Sequence, residues 1–261
     1  MKGEELLDVV KGTPKVLEQV YEDLAQPSVR AVGVALGTVF EFSTSFLLPL
    51  KLLNAKFKLN FAKRLNEYKE KLEAIPSENR CEVHPQIGTP IIEKLSYTTT
   101  DEIASLFTSL LASASNKNKV NLAHPSFVGM IERLSTDEAR IIKYLKGKTE
   151  IQYCEYRGHT LDGKGFITII HKATLLCRDI RLDFPKNAEA YWANLISMGI
   201  LQDMAGTYKV DKSITDQICE YYNLNEIKTK LVPNRFASIE VERSYLLVTE
   251  FGKMFINACV E

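Results

Sequence analysis

The chain has 261 residues, 45% hydrophobic and 25% charged, which excludes a disordered or low-complexity class and allows one large domain or two ordinary ones. Lys plus Arg equals Asp plus Glu at 33 each, so net charge supplies no overall pull toward nucleic acid or an acidic membrane. Five scattered cysteines and a charged Met1-Lys2-Gly3-Glu4-Glu5 start, with no apolar segment behind it, read as reduced thiols in a cytoplasmic protein.

Residues 4–25 place Leu6, Leu7, Val10, Val16, Leu17, Val20 and Leu24 at helical spacing, interrupted by Pro14 and ended by Pro27. The stretch from Ala31 to Leu50 is the most apolar in the chain, and Gly33 with Gly37 gives it a small-xxx-small step that admits a close helix neighbour. Its length matches a membrane span of roughly 20 residues. Against that, Glu41 sits in mid-stretch, Ser43, Thr44 and Ser45 follow, and Pro49 closes it. A charge at a bilayer centre costs roughly 2.5–3.5 kcal/mol even on lenient insertion scales. Gly33, Gly37 and Glu41 are therefore read as helix-packing positions, with membrane contact as the alternative.

Phe57, Phe61, Leu65, Tyr68, Leu72 and Ile75 recur at steps of four, four, three, four and three, which predicts a helix with one apolar face. Lys51, Lys56, Lys58, Lys63, Arg64, Lys69 and Lys71 outnumber Glu67, Glu70 and Glu73 on its other faces. A packed helix with a solvated basic face accounts for this; a basic amphipathic helix leaning on anionic lipid is the sharper alternative.

Residues 76–90 read as a linker, followed by helices over about 88–96 and 100–115 and a segment 126–134 that Pro125 opens. Ser135-Thr136-Asp137-Glu138 is a capping box, and Gly147 stops the helix it begins. The period then changes. Ile151–Arg157 and Phe166–Ile170 have strand-like composition around a Gly-containing turn. Helices follow over 187–198 and 212–230, then a strand at Tyr245–Val248 and a last helix over 250–260 capped by Thr249.

No catalytic constellation emerges. Gly158-His159-Thr160-Leu161-Asp162-Gly163-Lys164 matches the start of a phosphate-binding P-loop, but Gly165 replaces the hydroxyl residue and a strand follows instead of a helix, so a hairpin loop is predicted. Cys154, His159, His171 and Cys177 lack zinc-ligand spacing. Arg80 and His84 are too close in sequence, and wrongly placed, for the Arg/His pair of helical toxin ribonucleases. There is no Gly-x-Ser-x-Gly elbow. No catalytic, cofactor or metal residue is assigned, although a carboxylate site assembled by the fold stays open.

From Ser135 onward the order helix, strand, helix, wing resembles a winged helix. The helix in the recognition position, Asn187–Gly199, has no Arg or Lys, carries Glu189, and presents Tyr191 and Trp192. A DNA reader needs cations there. Tyr191 and Trp192 are therefore candidate contacts to a protein partner, and nucleic acid is disfavoured.

Several blocks carry a family likeness: Arg30-Ala31-Val32-Gly33 with Gly37, Pro49-Leu50, Ile75-Pro76, and Leu110-Leu111-Ala112-Ser113. His124-Pro125-Ser126-Phe127, Leu134 through Ala139, and Thr249-Glu250-Phe251-Gly252-Lys253 complete them. In these blocks the chain resembles the bacterial Abi-alpha (abortive infection alpha) family over most of its length; the hairpin region and residues 205–243 are less distinctive. The resemblance implies phage defence through growth arrest or death of the infected cell, and it carries over no catalytic residue.

The expectation is a mainly α protein, with a helical domain over 1–134 and a winged-helix-like α+β domain with a β-hairpin over 135–261. Its expected function is non-enzymatic phage defence by binding a host or phage protein. The alternatives are a membrane-perturbing effector using residues 31–75 and a DNA-binding regulator. The expected location is the cytoplasm, or the periphery of the inner membrane.

Overall fold

A computed structural model describes residues 55–232 and 234–261, with side chains from Asn60 onward. The helix read over 4–25, the apolar stretch with Gly33, Gly37 and Glu41, and the Phe57 side chain lie outside the described part. In chain order the α-helices are α1 (Ala55–Glu73), α2 (Pro85–Leu95), α3 (Asp101–Ala114), α4 (Ser126–Glu132), α5 (Thr136–Tyr144), α6 (Leu176–Asp179), α7 (Ala188–Ser197), α8 (Ser213–Tyr221), α9 (Leu224–Leu231) and α10 (Glu250–Cys259). The strands are β1 (Glu150–His159), β2 (Phe166–Ala173), β3 (Leu201–Asp203) and β4 (Ser238–Val248). The class is mixed α+β, because all four strands join one antiparallel sheet in the order β2-β1-β4-β3.

The described residues divide into two compact units, one of 55–139 with 254–261 and one of 140–253. The division differs from a boundary at 134/135, since the end of α10 groups with the helical unit. Phe255 packs edge-on against Phe127 at 5.1 Å, and the Ser113 hydroxyl donates to the Ala258 carbonyl at 2.8 Å.

In the helical unit α3 is the central element, buried continuously from Leu106 to Ala114. A helix apolar on all sides is one surrounded by neighbours, and α1, α2 and α4 supply them. The expected stripe on α1 holds: Phe61, Leu65, Tyr68 and Leu72 are buried, as is Ile75 just beyond the helix. Tyr68 is fully enclosed and its hydroxyl lies 2.6 Å from Ser115 Oγ, which satisfies a polar group that burial would otherwise penalise. Arg64 departs from its reading as an outward cation. It is 1% exposed, held at 2.7 Å by both Glu67 and Asp101, with Nε buried and unpartnered.

In the sheet unit β1 and β4 form the long central ladder, from Glu150↔Leu247 to His159↔Ser238. Strand period places Tyr153, Glu155, Arg157 and His159 on one face of β1 and Cys154, Tyr156 and Gly158 on the other. The second face is covered: Cys154, Tyr156, Ala173, Leu175, Ile218 and Ile239 form a core, with Ile227 and Leu231 of α9 against it. Gly158 is needed there, because a Cβ would meet the Phe236 ring at 2.6 Å.

Candidate functional site

The residues singled out on α7 are not at the surface. Trp192 is 1% exposed and Tyr191 7%, with the Tyr191 hydroxyl donating to the Phe184 carbonyl at 3.2 Å. Both are core residues of the sheet unit, a correction that follows from the apolar spacing of Tyr191, Trp192 and Leu195. The face that α7 leaves exposed carries Glu189, Ala190, Ala193 and Ser197, small or acidic side chains without a cation.

The P-loop-like segment is a hairpin turn between β1 and β2, as read from the sequence. The Asp162 carboxylate accepts the Lys164 amide at 3.1 Å and the Thr160 hydroxyl at 2.7 Å, while Thr160 Oγ1 also accepts the Gly165 amide at 3.2 Å. These bonds hold the Asp162 carboxyl below the ordinary carboxylate value, the Thr160 bond foremost. An anion would meet a carboxylate already seated on the loop amide. The cysteines and histidines considered as ligands also separate. Cys154 lies on the covered face, whereas His159 lies on the open one with Nε2 2.8 Å from Glu240. Among the described residues no three His, Cys, Asp or Glu side chains converge on a metal-sized site.

What the sheet does assemble is an array of half-buried, paired charges on its other face. Arg157 bonds Glu155 at 3.0 Å and Glu242 across the ladder, and its guanidinium lies 4.7 Å from the Phe166 ring centroid. Lys172 bridges Glu155 at 3.8 Å and Asp203 at 3.1 Å. Asp203 in turn accepts the Tyr153 hydroxyl at 2.7 Å, and burial with this carboxylate neighbour pushes the phenol well above its ordinary range. Lys172 adopts φ 40°, a left-handed conformation unusual for a lysine, at the register shift where β2 bulges against Cys154 to Tyr156 of β1. Glu155, Asp203, Glu240 and Glu242 outnumber Arg157 and Lys172, so the face is acidic. Its members come from four strands far apart in sequence, and alternation along β1 was the only local signal for them.

The helical unit carries a polar groove of about 540 Å³ lined by Glu67, Glu70, Lys71, Asp101, Ser105 and Thr108. Lys71 is held there by Ser109 at 3.1 Å and Glu261 at 2.5 Å, while Glu67 and Asp101 pair with Arg64.

Comparison with known proteins gives one family. The family model described as abortive infection alpha matches residues 55–259, most of the chain. No curated protein matches. Among solved structures, an uncharacterized protein from the hydrocarbon-degrading marine bacterium Alcanivorax borkumensis SK2 is similar at 13% identity. That match covers 53% of this chain and 92% of that one, with a TM-score of 0.33.

Proposed function

The chain belongs to the abortive infection alpha family, and on that premise we propose that it serves phage defence as a non-enzymatic binding protein, engaging a host or phage protein through its sheet unit. Family membership carries the defence role; the mode of action rests on surface chemistry. The element order α5, β1, α6, α7, β3, β4, with β4 between β1 and β3, supports a winged-helix-like unit in which β2 and the α8–α9 pair are insertions. In such a unit α7 holds the recognition position.

One observation carries the choice of partner. The exposed face of α7 offers Glu189, Ala190 and Ala193 and no Lys or Arg. Phosphate neutralisation is a leading affinity term for nucleic acid, and this face cannot provide it. A flat surface of small side chains suits close approach by a protein. Of the membrane-perturbing alternative, the basic-helix half has less support, because the apolar face of α1 is buried within its own unit, while residues 31–54 lie outside the described part. Among the described residues no helix is long and apolar enough to cross a membrane.

The test pairs plaque counts with a gel shift. Glu189→Arg together with Ala193→Arg is expected to reduce phage protection by roughly tenfold or more, the effect of about 1.4 kcal/mol at an interface. Thermal unfolding of the variant should stay unchanged. The unaltered chain should not retard duplex DNA at low salt. Full protection by the variant, or salt-dependent retardation by the unaltered chain, would overturn the reading.

A further inference from the structure

The covered face of the sheet brings two thiols together. Cys154 on β1 is fully buried, and its Sγ donates to the Thr215 carbonyl on α8 at 3.7 Å. Cys219 lies one helical turn beyond Thr215, on the same side of α8. It packs against the core cluster that contains Cys154 and Tyr156, so α8 sets the Cys219 side chain beside both. Both sulfurs are free, and Cys219 is half-buried where Cys154 is enclosed. The third member is Tyr156. Its hydroxyl is buried without a hydrogen-bond partner, in the cluster that Cys219 packs against. An orphaned buried phenol costs free energy, and a charged or strongly accepting sulfur species beside it would recover that cost.

We propose that Cys219 and Cys154 form a peroxide-oxidisable dithiol that closes to a disulfide between α8 and β1, with the Tyr156 hydroxyl as hydrogen-bond donor to the oxidised sulfur of Cys219. The oxidant is a hydroperoxide. The Cys219 sulfur attacks its terminal oxygen: an S–O bond forms, the O–O bond breaks, and the thiol proton leaves on the departing oxygen. Cys219 is then a sulfenic acid, oxidised by two electrons, while the peroxide is reduced to water or an alcohol. The Cys154 sulfur next attacks the Cys219 sulfur: the S–S bond forms, the S–O bond breaks, and the hydroxyl leaves as water with the Cys154 proton. Burial pushes the Cys154 thiol up to about 12. It therefore waits protonated and shielded, and the partly exposed Cys219 meets the oxidant first.

The experiment treats the full chain with hydrogen peroxide, alkylates the remaining thiols, and maps unreduced peptides by mass spectrometry. The expected product is a Cys154–Cys219 linked peptide lighter by two hydrogens, with Cys81, Cys177 and Cys259 alkylated. In Cys154→Ser the first step should persist and accumulate a Cys219 sulfenic acid that dimedone captures. Tyr156→Phe should slow Cys219 oxidation by roughly threefold to tenfold, the worth of one hydrogen bond. Maleimide labelling of the buried Cys154 in the unoxidised native chain should not change in that variant, which separates loss of the donor from loosened packing. Alkylation of all five cysteines after peroxide, or a bridge from Cys219 to Cys177, would overturn the dithiol. Oxidation of Tyr156→Phe at the unaltered rate would overturn the role given to the phenol.

Discussion

At Gly252, the third residue of α10, a Cβ would run into the Ile200 carbonyl. Alanine in a helix is ordinarily better than glycine by about 1 kcal/mol. Here the obstacle is backbone, which cannot rotate away, so Gly252→Ala is expected to lose about 2–3 kcal/mol in chemical denaturation; a gain would disprove the close approach. Arg64 gives a different lesson. Its ion pairs with Glu67 and Asp101 repay a desolvation cost, and Nε stays unsatisfied. Glu67 and Asp101 are 29% and 70% exposed and rehydrate once the guanidinium is gone, so Arg64→Met should change stability at neutral pH by about 1 kcal/mol. Lys63 first and Arg64 second hold the Asp101 carboxyl below its usual value. A depressed folded value stabilises above the unfolded value and is lost as pH falls through the folded one. The variant should thus raise the Asp101 midpoint part of the way back, visible by carboxyl NMR, and flatten the stability loss below about pH 4. Asp101 is 70% exposed, so screening keeps the stability effect small. The burial of Arg64 had a signal in the sequence: it stands three residues after Phe61 and four before Tyr68, on the apolar stripe itself.

Among elements, α5 was the one most completely written into its local residues. The Ser135 amide donates to Glu138 at 2.7 Å, the Glu138 amide donates to Ser135 Oγ at 3.2 Å, and Gly147 closes the end at φ 76°. Ser135→Ala should cost about 1 kcal/mol of stability, measured against Ser135→Thr, which keeps the acceptor and should cost less. Other boundaries needed more than periodicity. The helix read over 212–230 is two helices, broken where Asn223 turns left-handed at φ 50°. Asparagine tolerates that region, but an apolar period running through the break concealed it. The strand read at Tyr245–Val248 extends back to Ser238, since Glu240, Glu242 and Arg243 look like a loop until their partners on β1 are known. Likewise α2 starts at Pro85 and contains Pro90, because Ile87, Ile91, Ile92 and Leu95 bury enough surface to outweigh one missing backbone bond.

At the scale of the whole molecule, the two units do not follow the order of the chain. Residues 254–261 complete the helical unit although the preceding segment belongs to the sheet. Phe255 is fully buried against Phe127, so Phe255→Ala is expected to cost about 3–5 kcal/mol. A double-mutant cycle with Phe127→Leu should return a coupling of about 1 kcal/mol. Strict additivity of the two changes would remove the edge-on contact from the account.

The sequence by itself determined the family likeness, the α1 stripe, the α5 cap, the hairpin and the missing cations of α7, because each is written in neighbouring residues or in a short period. Tertiary structure alone decided that Glu155, Arg157, Lys172, Asp203 and Glu242 share one face, and it turned the helical spacing of Tyr191, Trp192 and Arg64 into burial. It also decided that Cys219 packs against the core cluster that holds Cys154. The physical reason is the same throughout: spacing along the chain fixes which way a side chain points, while burial and pairing depend on what the fold brings in front of it.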